Sequence, residues 1–92
     1  MAYAVMQMRR FARQYKKLND NTAKDVDLAV VKISETPSIG ERKKGDLAKL
    51  WVFKFKSGSQ LYLLGYCIDD GLRLIYLDCI GSHENFYRDI KR

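Results

Sequence analysis

With 92 residues, of which 47% are hydrophobic and 30% charged, the chain is long enough for one globular domain, residues 1–92, and too short for two. Its 17 lysines and arginines exceed its 11 aspartates and glutamates, and the net charge of +6 favours nucleic acid or an acidic protein as partner, although many small proteins are basic for solubility alone. No apolar run approaches the ~20 residues of a membrane span and the first residues lack a signal-peptide core, so we expect a cytoplasmic protein that binds no membrane.

The two cysteines, Cys67 and Cys79, lie in apolar runs without the CxxC spacing of a zinc or redox site. No second cluster of metal ligands accompanies them. We therefore expect reduced packing residues, no metal site and no cofactor.

The first part of the chain predicts a short strand followed by an amphipathic helix with a basic surface. Ala2 to Val5 can form the strand. Apolar residues then recur at spacings of three and four, as on the buried face of a helix, at Met8, Phe11, Tyr15 and Leu18. Cations fall largely off that stripe, at Arg9, Arg10, Arg13, Lys16 and Lys17. A charge run on a helix is usually a solvated face, but no acidic residue precedes Asn19, and this bias favours contact with nucleic-acid phosphates.

A second helix and an exposed loop follow. Asp20 or Thr22 can cap this helix, whose apolar positions again step by three and four up to Ile33, so the two helices should form a hairpin. Pro37 should end the second helix near Thr36. The loop carries cations that are candidates for nucleic-acid binding, at Arg42, Lys43 and Lys44. Because no GKS or GKT follows its glycines, it is not a phosphate-binding P-loop.

From Trp51 onward the apolar period changes from 3.6 to 2, which is typical of strands. Leu47 and Leu50 should lie beneath the first of these strands. Lys54 and Lys56 share its wetter face, opposite the aromatic residues of the same strand.

Two further strands should complete an antiparallel meander. Leu61 to Ile68 is apolar on both faces, as in a central strand, and Leu72 to Ile80 forms the next strand after a turn at 69–71. The order of elements predicts an α+β fold in which an N-terminal helical hairpin packs on a small twisted antiparallel sheet and a short C-terminal helix follows. The opposite face of the sheet then needs a cover or a ligand.

The end of the chain contains the candidate site. Gly81 ends an apolar run, Ser82 can cap the first turn of a terminal helix, and Glu84 in that turn suits the helix dipole. Residues four apart share a helix face, so His83 and Tyr87 become neighbours and form an acid/base pair.

Two further observations bear on this helix. Arg88 and Lys91 flank the pair and would make its surroundings positive. The spacing is also that of a core-facing stripe, and aromatic stripes more often serve packing than chemistry. The members of this stripe are His83, Phe86, Tyr87 and Ile90.

The element order and the terminal pattern Gly81–x–His83–x–x–x–Tyr87–Arg88 resemble the RelE/ParE toxin superfamily of bacterial type II toxin–antitoxin modules. The similarity covers nearly the whole chain: the helical hairpin, Lys44-Gly45-Asp46-Leu47, Trp51 onward, the Gly58 hairpin, and Gly81 to Arg92. It implies one of two activities. The ribosome-dependent nucleases of the superfamily cut messenger RNA in the ribosomal A site, whereas the ParE branch inhibits DNA gyrase by binding and without nuclease activity.

Residue by residue, the resemblance supports the nuclease at three positions. Tyr87 stands at the nucleases' C-terminal tyrosine, His83 where members carry a catalytic histidine or an arginine, and Lys54 at a strand lysine near the scissile phosphate. Such a reaction moves two protons and stabilises a pentavalent phosphate, and it requires no metal.

Two departures weigh against the nuclease. Leu61 or Leu63 replaces an arginine usually found early in the second meander strand, and Val52 stands where some members have a second lysine. Arg73 or Arg88 would then supply the missing charge.

Messenger RNA cleavage on the ribosome is therefore the first hypothesis and gyrase inhibition the second. Lys56 joins the cations of the first helix and the loop as a candidate for nucleic-acid binding. The resemblance also implies a cognate acidic antitoxin with a largely disordered segment that folds on this surface, either across the sheet and the basic face or by displacing the terminal helix.

Overall fold

The computed structural model describes residues 2–45 and 49–90. Its helices are α1 (Arg9–Lys16), α2 (Asp20–Glu35) and α3 (His83–Ile90), with a short 3₁₀ turn at Pro37–Ile39. Its strands are β1 (Ala4–Gln7), β2 (Glu41–Arg42), β3 (Trp51–Ser57), β4 (Gln60–Asp69) and β5 (Leu74–Ser82). Within these residues the strands form one sheet in the order β1-β5-β4-β3-β2. The prediction of a helical hairpin on a small sheet, followed by a short helix, is confirmed.

The sheet is mixed, because the edge strand β1 pairs in parallel with β5. Val5 of β1 lies opposite Ile75 of β5, whereas the strands from β2 to β5 pair antiparallel. Parallel neighbours need a long connection. Here the helical hairpin and the three following strands provide it, and the first strand thus becomes an edge beside the last.

The helical hairpin covers one face of the sheet and builds the larger core. Alternation along β3 and β4 turns Trp51, Phe53 and Leu64 toward the helices. The buried residues of this core are Phe11, Val26, Ala29, Ile33, Leu64, Tyr66, Ile75, Leu77 and Ile80.

Asn19 caps α2, instead of the predicted Asp20 or Thr22. Its side-chain oxygen accepts a hydrogen bond from the Thr22 backbone N–H at 2.8 Å. An N-cap side chain accepts from the N–H of the second or third residue after it, and Thr22 is the third residue after Asn19. Thr22 itself is buried, with its hydroxyl 3.1 Å from the Ser57 hydroxyl, which also donates to Asp25 at 2.7 Å.

Several element boundaries differ from those predicted. The first strand lies two residues later than Ala2 to Val5. β5 starts at Leu74 and not at Leu72, because the turn before it continues to Arg73, whose φ of 52° lies in the left-handed region. Its end extends to Ser82, which still pairs with β4, so α3 begins at His83.

The loop after Pro37 holds the two-residue strand β2, which the sequence pattern did not predict. The Tyr66 hydroxyl fixes the path to this strand by donating to the Pro37 carbonyl at 2.5 Å and accepting from the Gly40 N–H at 3.0 Å. Leu50 is buried beneath β3 as expected, whereas the prediction for Leu47 lies outside the described residues. Among the helices described, none is long and apolar enough to cross a membrane.

Candidate active site on the α3 face of the sheet

α3 covers the second face of the sheet through the side chain of Phe86, which is only 1% exposed. Its ring lies at Gly65 of β4, where a Cβ atom would come within 3.0 Å of Phe86 Cζ. The other buried members of this cluster are Leu50, Val52, Leu63 and Cys79. Phe86 therefore sets the position of α3, and with it the positions of the residues on either side of the ring.

His83 and Tyr87 lie on successive turns of α3 and differ in exposure. His83 is exposed and lines an open hollow with Leu61 and Ser82. Tyr87 is half-buried, and its ring meets that of Phe86 edge to face, with centroids 5.1 Å apart. Of the stripe members whose side chains are described, Phe86 alone is a core residue. The core interpretation of the stripe therefore does not extend to His83.

Lys43, which follows β2 directly, reaches the Tyr87 side chain. Its Nζ atom lies 5.4 Å from the centroid of the Tyr87 ring and 3.7 Å from a Glu41 carboxylate oxygen. A hydrogen bond with the Tyr87 side chain is the main cause that raises the pKa of Lys43 above its usual value, against the opposing effect of burial. The backbone N–H of Lys43 donates to the Leu50 carbonyl at 2.8 Å, which ties the segment to the start of β3.

Lys54 and Lys56 are both exposed on β3, on the face that carries α3. Lys54 lies opposite Leu63, which in turn lies opposite Gly81 of β5. Two strand spacings separate Lys54 from Gly81, which is about 10 Å. Lys56 lies opposite Leu61, which lines the hollow beside His83. The two lysines thus share one exposed face, as their alternation predicted, and this face borders the open surface next to α3.

The structure does not bring Arg73 to this surface. Its guanidinium carbon lies 4.7 Å from the centroid of the Tyr3 ring, at the start of β5. The length of β5 separates it from His83, which amounts to roughly 30 Å. Arg88 does lie on α3, next to Tyr87, and its guanidinium donates to the Asn85 side-chain oxygen at 2.9 Å.

Comparisons with known proteins decide the family. Residues 5–91 match the family described as the ParE-like toxin of type II bacterial toxin–antitoxin systems. The chain belongs to this family. No curated protein sequence matched it.

Solved structures of RelE toxins share the fold of this ParE-like toxin. The toxin–antitoxin complex RelBE2 from Mycobacterium tuberculosis matches with a TM-score of 0.77 and 20% identity, over 90% of this chain and 93% of that one. The intact Escherichia coli RelBE complex gives a TM-score of 0.73 and 21% identity, over 87% and 95%. The isolated E. coli RelE toxin gives 0.73 and 21%, over 99% and 98%. The predicted membership of the RelE/ParE superfamily is confirmed.

The α1 cations of the ParE-like toxin form a mostly exposed surface. Arg9, Arg13, Lys16 and Lys17 are exposed, whereas Arg10 is half-buried with its guanidinium 4.0 Å from the Asp78 carboxylate. Gln14 of the same helix accepts a hydrogen bond from the Ile80 N–H at 2.8 Å. This bond places the last turn of α1 beside the part of β5 that leads to α3.

The remaining candidates lie on the segment around β2. Arg42 and Lys44 are both exposed, and Arg42 lines a shallow hollow with Trp51 and Cys67. Within residues 2–45 and 49–90 no cluster of His, Cys, Asp and Glu could hold a metal ion.

Sequence reasoning assigned Lys43 to nucleic-acid contact and did not connect it with Tyr87. The two residues are far apart in the chain, and a two-residue strand with no clear period brings them together. The paired basic run at Lys43 and Lys44 was the available signal, but it does not say which of the two points inward.

Proposed function

We propose that this toxin cleaves messenger RNA on the ribosome. The observation that carries the proposal is the placement of His83 and Tyr87 one helical turn apart, beside the exposed lysines of β3. A functional pair on a helix needs this spacing, since side chains four residues apart lie about 5–6 Å from each other at Cβ. The lysines offer charge for RNA phosphates at the same surface.

The chemistry suits RNA because its 2′-hydroxyl can serve as the nucleophile. A base takes the 2′-hydroxyl proton as the 2′-oxygen to phosphorus bond forms, and the bond to the 5′-oxygen breaks as an acid protonates that oxygen. The products are a 2′,3′-cyclic phosphate and a 5′-hydroxyl. His83 and Tyr87 supply the two proton-transferring groups. Positioned transfer of this kind contributes typically about 10²–10⁴-fold in rate.

The cations that border the site would stabilise the negative charge of the pentavalent phosphate. The pentavalent phosphate carries more negative charge than the substrate, so a lysine at the right distance lowers the barrier. Lys54 lies in register with Gly81 and Lys56 lies opposite Leu61, which lines the hollow beside His83, so both strand lysines border the site, and the exposed α1 cations suit the flanking phosphates.

A second candidate function, gyrase inhibition by binding, is favoured by the apolar floor of the surface. Val52 is 1% exposed beneath α3, and Leu61 lies beside His83. By the resemblance, Val52 stands where some nucleases have a second lysine, and Leu61 or Leu63 stands where they have an arginine. Arg73, one of the two residues expected to replace the lost charge, lies at the far end of β5. The family description also names ParE.

One experiment separates the two functions. The toxin is expressed from a tightly controlled promoter, messenger 5′ ends are mapped, and gyrase supercoiling is assayed in parallel. We expect in-frame cuts in translated messages with normal supercoiling. Intact messages with inhibited supercoiling would overturn the nuclease and support the second function.

We further propose a cognate antitoxin of acidic character as the partner. The RelBE structures contain a toxin together with its antitoxin, and the net charge of +6 on this chain suits an acidic segment. Binding across the sheet and the basic face, or displacement of α3, would each silence the site. Hydrogen exchange of residues 82–90 and of Arg9–Lys16 with and without the antitoxin tests this, because a tight complex that protects or exposes neither region would contradict both routes.

A further inference from the structure

We propose that Lys43 is a positioning residue for Tyr87. The Lys43 ammonium group holds the phenol in place and stabilises negative charge on the phenol oxygen during RNA cleavage. The catalytic part of this proposal rests on the nuclease proposed above. The pairing of the two side chains does not depend on it.

The geometry of the pair is the first support. Lys43 Nζ lies 5.4 Å from the Tyr87 ring centroid, and the Lys43 side chain is 20% exposed, so the charge is partly withdrawn from water. A cation at this distance from a phenol favours the phenolate over the neutral form, and partial burial strengthens that effect. A hydrogen bond with Tyr87 is also the first cause that raises the pKa of Lys43.

The second support is that both partners are anchored independently. Lys43 follows β2, and its N–H donates to the Leu50 carbonyl. Tyr87 follows Phe86, whose ring is buried at Gly65. A contact between two anchored side chains costs less conformational entropy than one between two mobile side chains. The pair can therefore hold one geometry.

The charged and titratable neighbours of the pair lead to the same assignment. Glu41 on β2 contacts Lys43 and also raises its pKa, by a smaller effect than Tyr87 does. Cys79 belongs to the cluster against which Tyr87 packs, and Cys67 packs against the same cluster. Burial raises the pKa of both thiols, so they remain neutral. Lys43 is thus a positive charge that the structure places against the Tyr87 ring.

Lys43 supplies the cation beside the Tyr87 phenol, a role for which sequence analysis offered other residues. A tyrosine acts as a base near neutral pH only if a cation stabilises its phenolate, because the reference pKa is about 10. Arg73 lies roughly 30 Å along the sheet from α3. Lys54 lies on β3, whereas Lys43 is the cation whose Nζ atom lies 5.4 Å from the Tyr87 ring centroid.

Side-chain NMR tests the pairing without any activity measurement. The lysine Nζ resonances are titrated in the wild-type protein and in Tyr87→Phe, which removes the phenol oxygen and keeps the ring. We expect the Lys43 titration to move to lower pH in Tyr87→Phe while that of Lys32, an exposed lysine of α2, stays the same. Glu41→Gln should move the Lys43 titration less than Tyr87→Phe does. An identical Lys43 titration in wild type and Tyr87→Phe would overturn the pairing.

Cleavage kinetics test the role in the reaction. Lys43→Met should lower kcat more than it raises KM, and the difference in kcat from wild type should become smaller as the pH is raised. Lys43→Arg should restore part of kcat, because it keeps the charge, and Lys32→Met should behave as wild type. If Lys43→Met changed KM alone and left the pH profile of kcat as in wild type, the positioning role would be overturned. Absence of cleavage by the wild type would refute the nuclease, and the NMR titration would still decide the pairing.

Discussion

The ring of Phe86 in α3 occupies the space that a side chain at Gly65 in β4 would need. A Cβ atom at Gly65 would lie 3.0 Å from Phe86 Cζ and 2.9 Å from Cys79 Sγ. Both atoms belong to the buried cluster beneath α3, so neither can move without disturbing its neighbours. A glycine in the central strand thus determines how closely the helix with His83 and Tyr87 approaches the sheet.

We predict that Gly65→Ala destabilises the fold and impairs the site together. Overpacking of a tight contact costs about 1–3 kcal/mol, and here the strain falls on Phe86 and hence on α3. Urea unfolding gives the change in the free energy of unfolding, and growth arrest reports the site. Gly71→Ala is the matched control, because its Cβ would meet only Asp69 Oδ1 at 3.4 Å. Equal stability of the Gly65→Ala and wild-type proteins would contradict the proposed role of the contact.

We expect His83→Ala and Tyr87→Phe each to relieve growth arrest while leaving the fold intact. His83 is exposed and Tyr87→Phe keeps the ring that packs on Phe86, so neither change opens a buried void. Loss of one proton-transferring group should slow cleavage by about 10²–10⁴-fold. Single-turnover cleavage and circular dichroism measure the two effects. Wild-type toxicity of both variants at normal expression would refute the catalytic assignment.

The exposed cations of α1 should contribute to affinity for nucleic acid. Charge reversal of Arg9, Arg13 and Lys16 should weaken ribosome binding and reduce its dependence on salt, because fewer counterions are released on binding. Binding constants at several salt concentrations give the slope. Lys24 and Lys32 on α2 provide a control pair of exposed lysines outside this surface. If the slope of the triple variant equals that of wild type, the α1 cations form only a solvated face.

Cys79 should make the fold less stable at high pH. Burial is the main cause that raises the pKa of its thiol from 9.0 to about 12. The folded state therefore keeps a proton that the unfolded state releases, and the free energy of unfolding falls as the pH rises from about 9 toward 12. We expect Cys79→Ala, although less stable at neutral pH, to lose less stability over this range. Parallel pH profiles of unfolding for the two proteins would contradict this.

The same burial should protect Cys79 from thiol reagents. Cys79 is 1% exposed, whereas Cys67 is half-buried, so Cys67 should be modified first in the native protein. Comparison of Cys67→Ala and Cys79→Ala, each with one thiol, measures the two rates separately. Faster labelling of Cys79 would show that α3 opens readily from the sheet.

Local sequence patterns determined the elements and the faces of this protein. The spacing of Phe11 and the α2 residues Val26 and Ile33 placed both helices with the correct side inward, because a helix repeats every 3.6 residues and burial follows that period. Alternation along β3 likewise placed Lys54 and Lys56 on one open face. These features depend on neighbours in the chain, so a single sequence suffices to predict them.

Contacts between distant segments were decided by the tertiary structure alone. The parallel pairing of β1 with β5, the bond of Gln14 to Ile80 and the approach of Lys43 to Tyr87 each join residues far apart in the chain. No periodic pattern encodes such contacts, since they depend on how whole elements stack and where a short strand such as β2 joins the sheet. The same reason explains why Arg73 was wrongly expected near the site. The sequence identifies Arg73 as a cation, but its distance from His83 is known only once β5 is seen to run between the two residues.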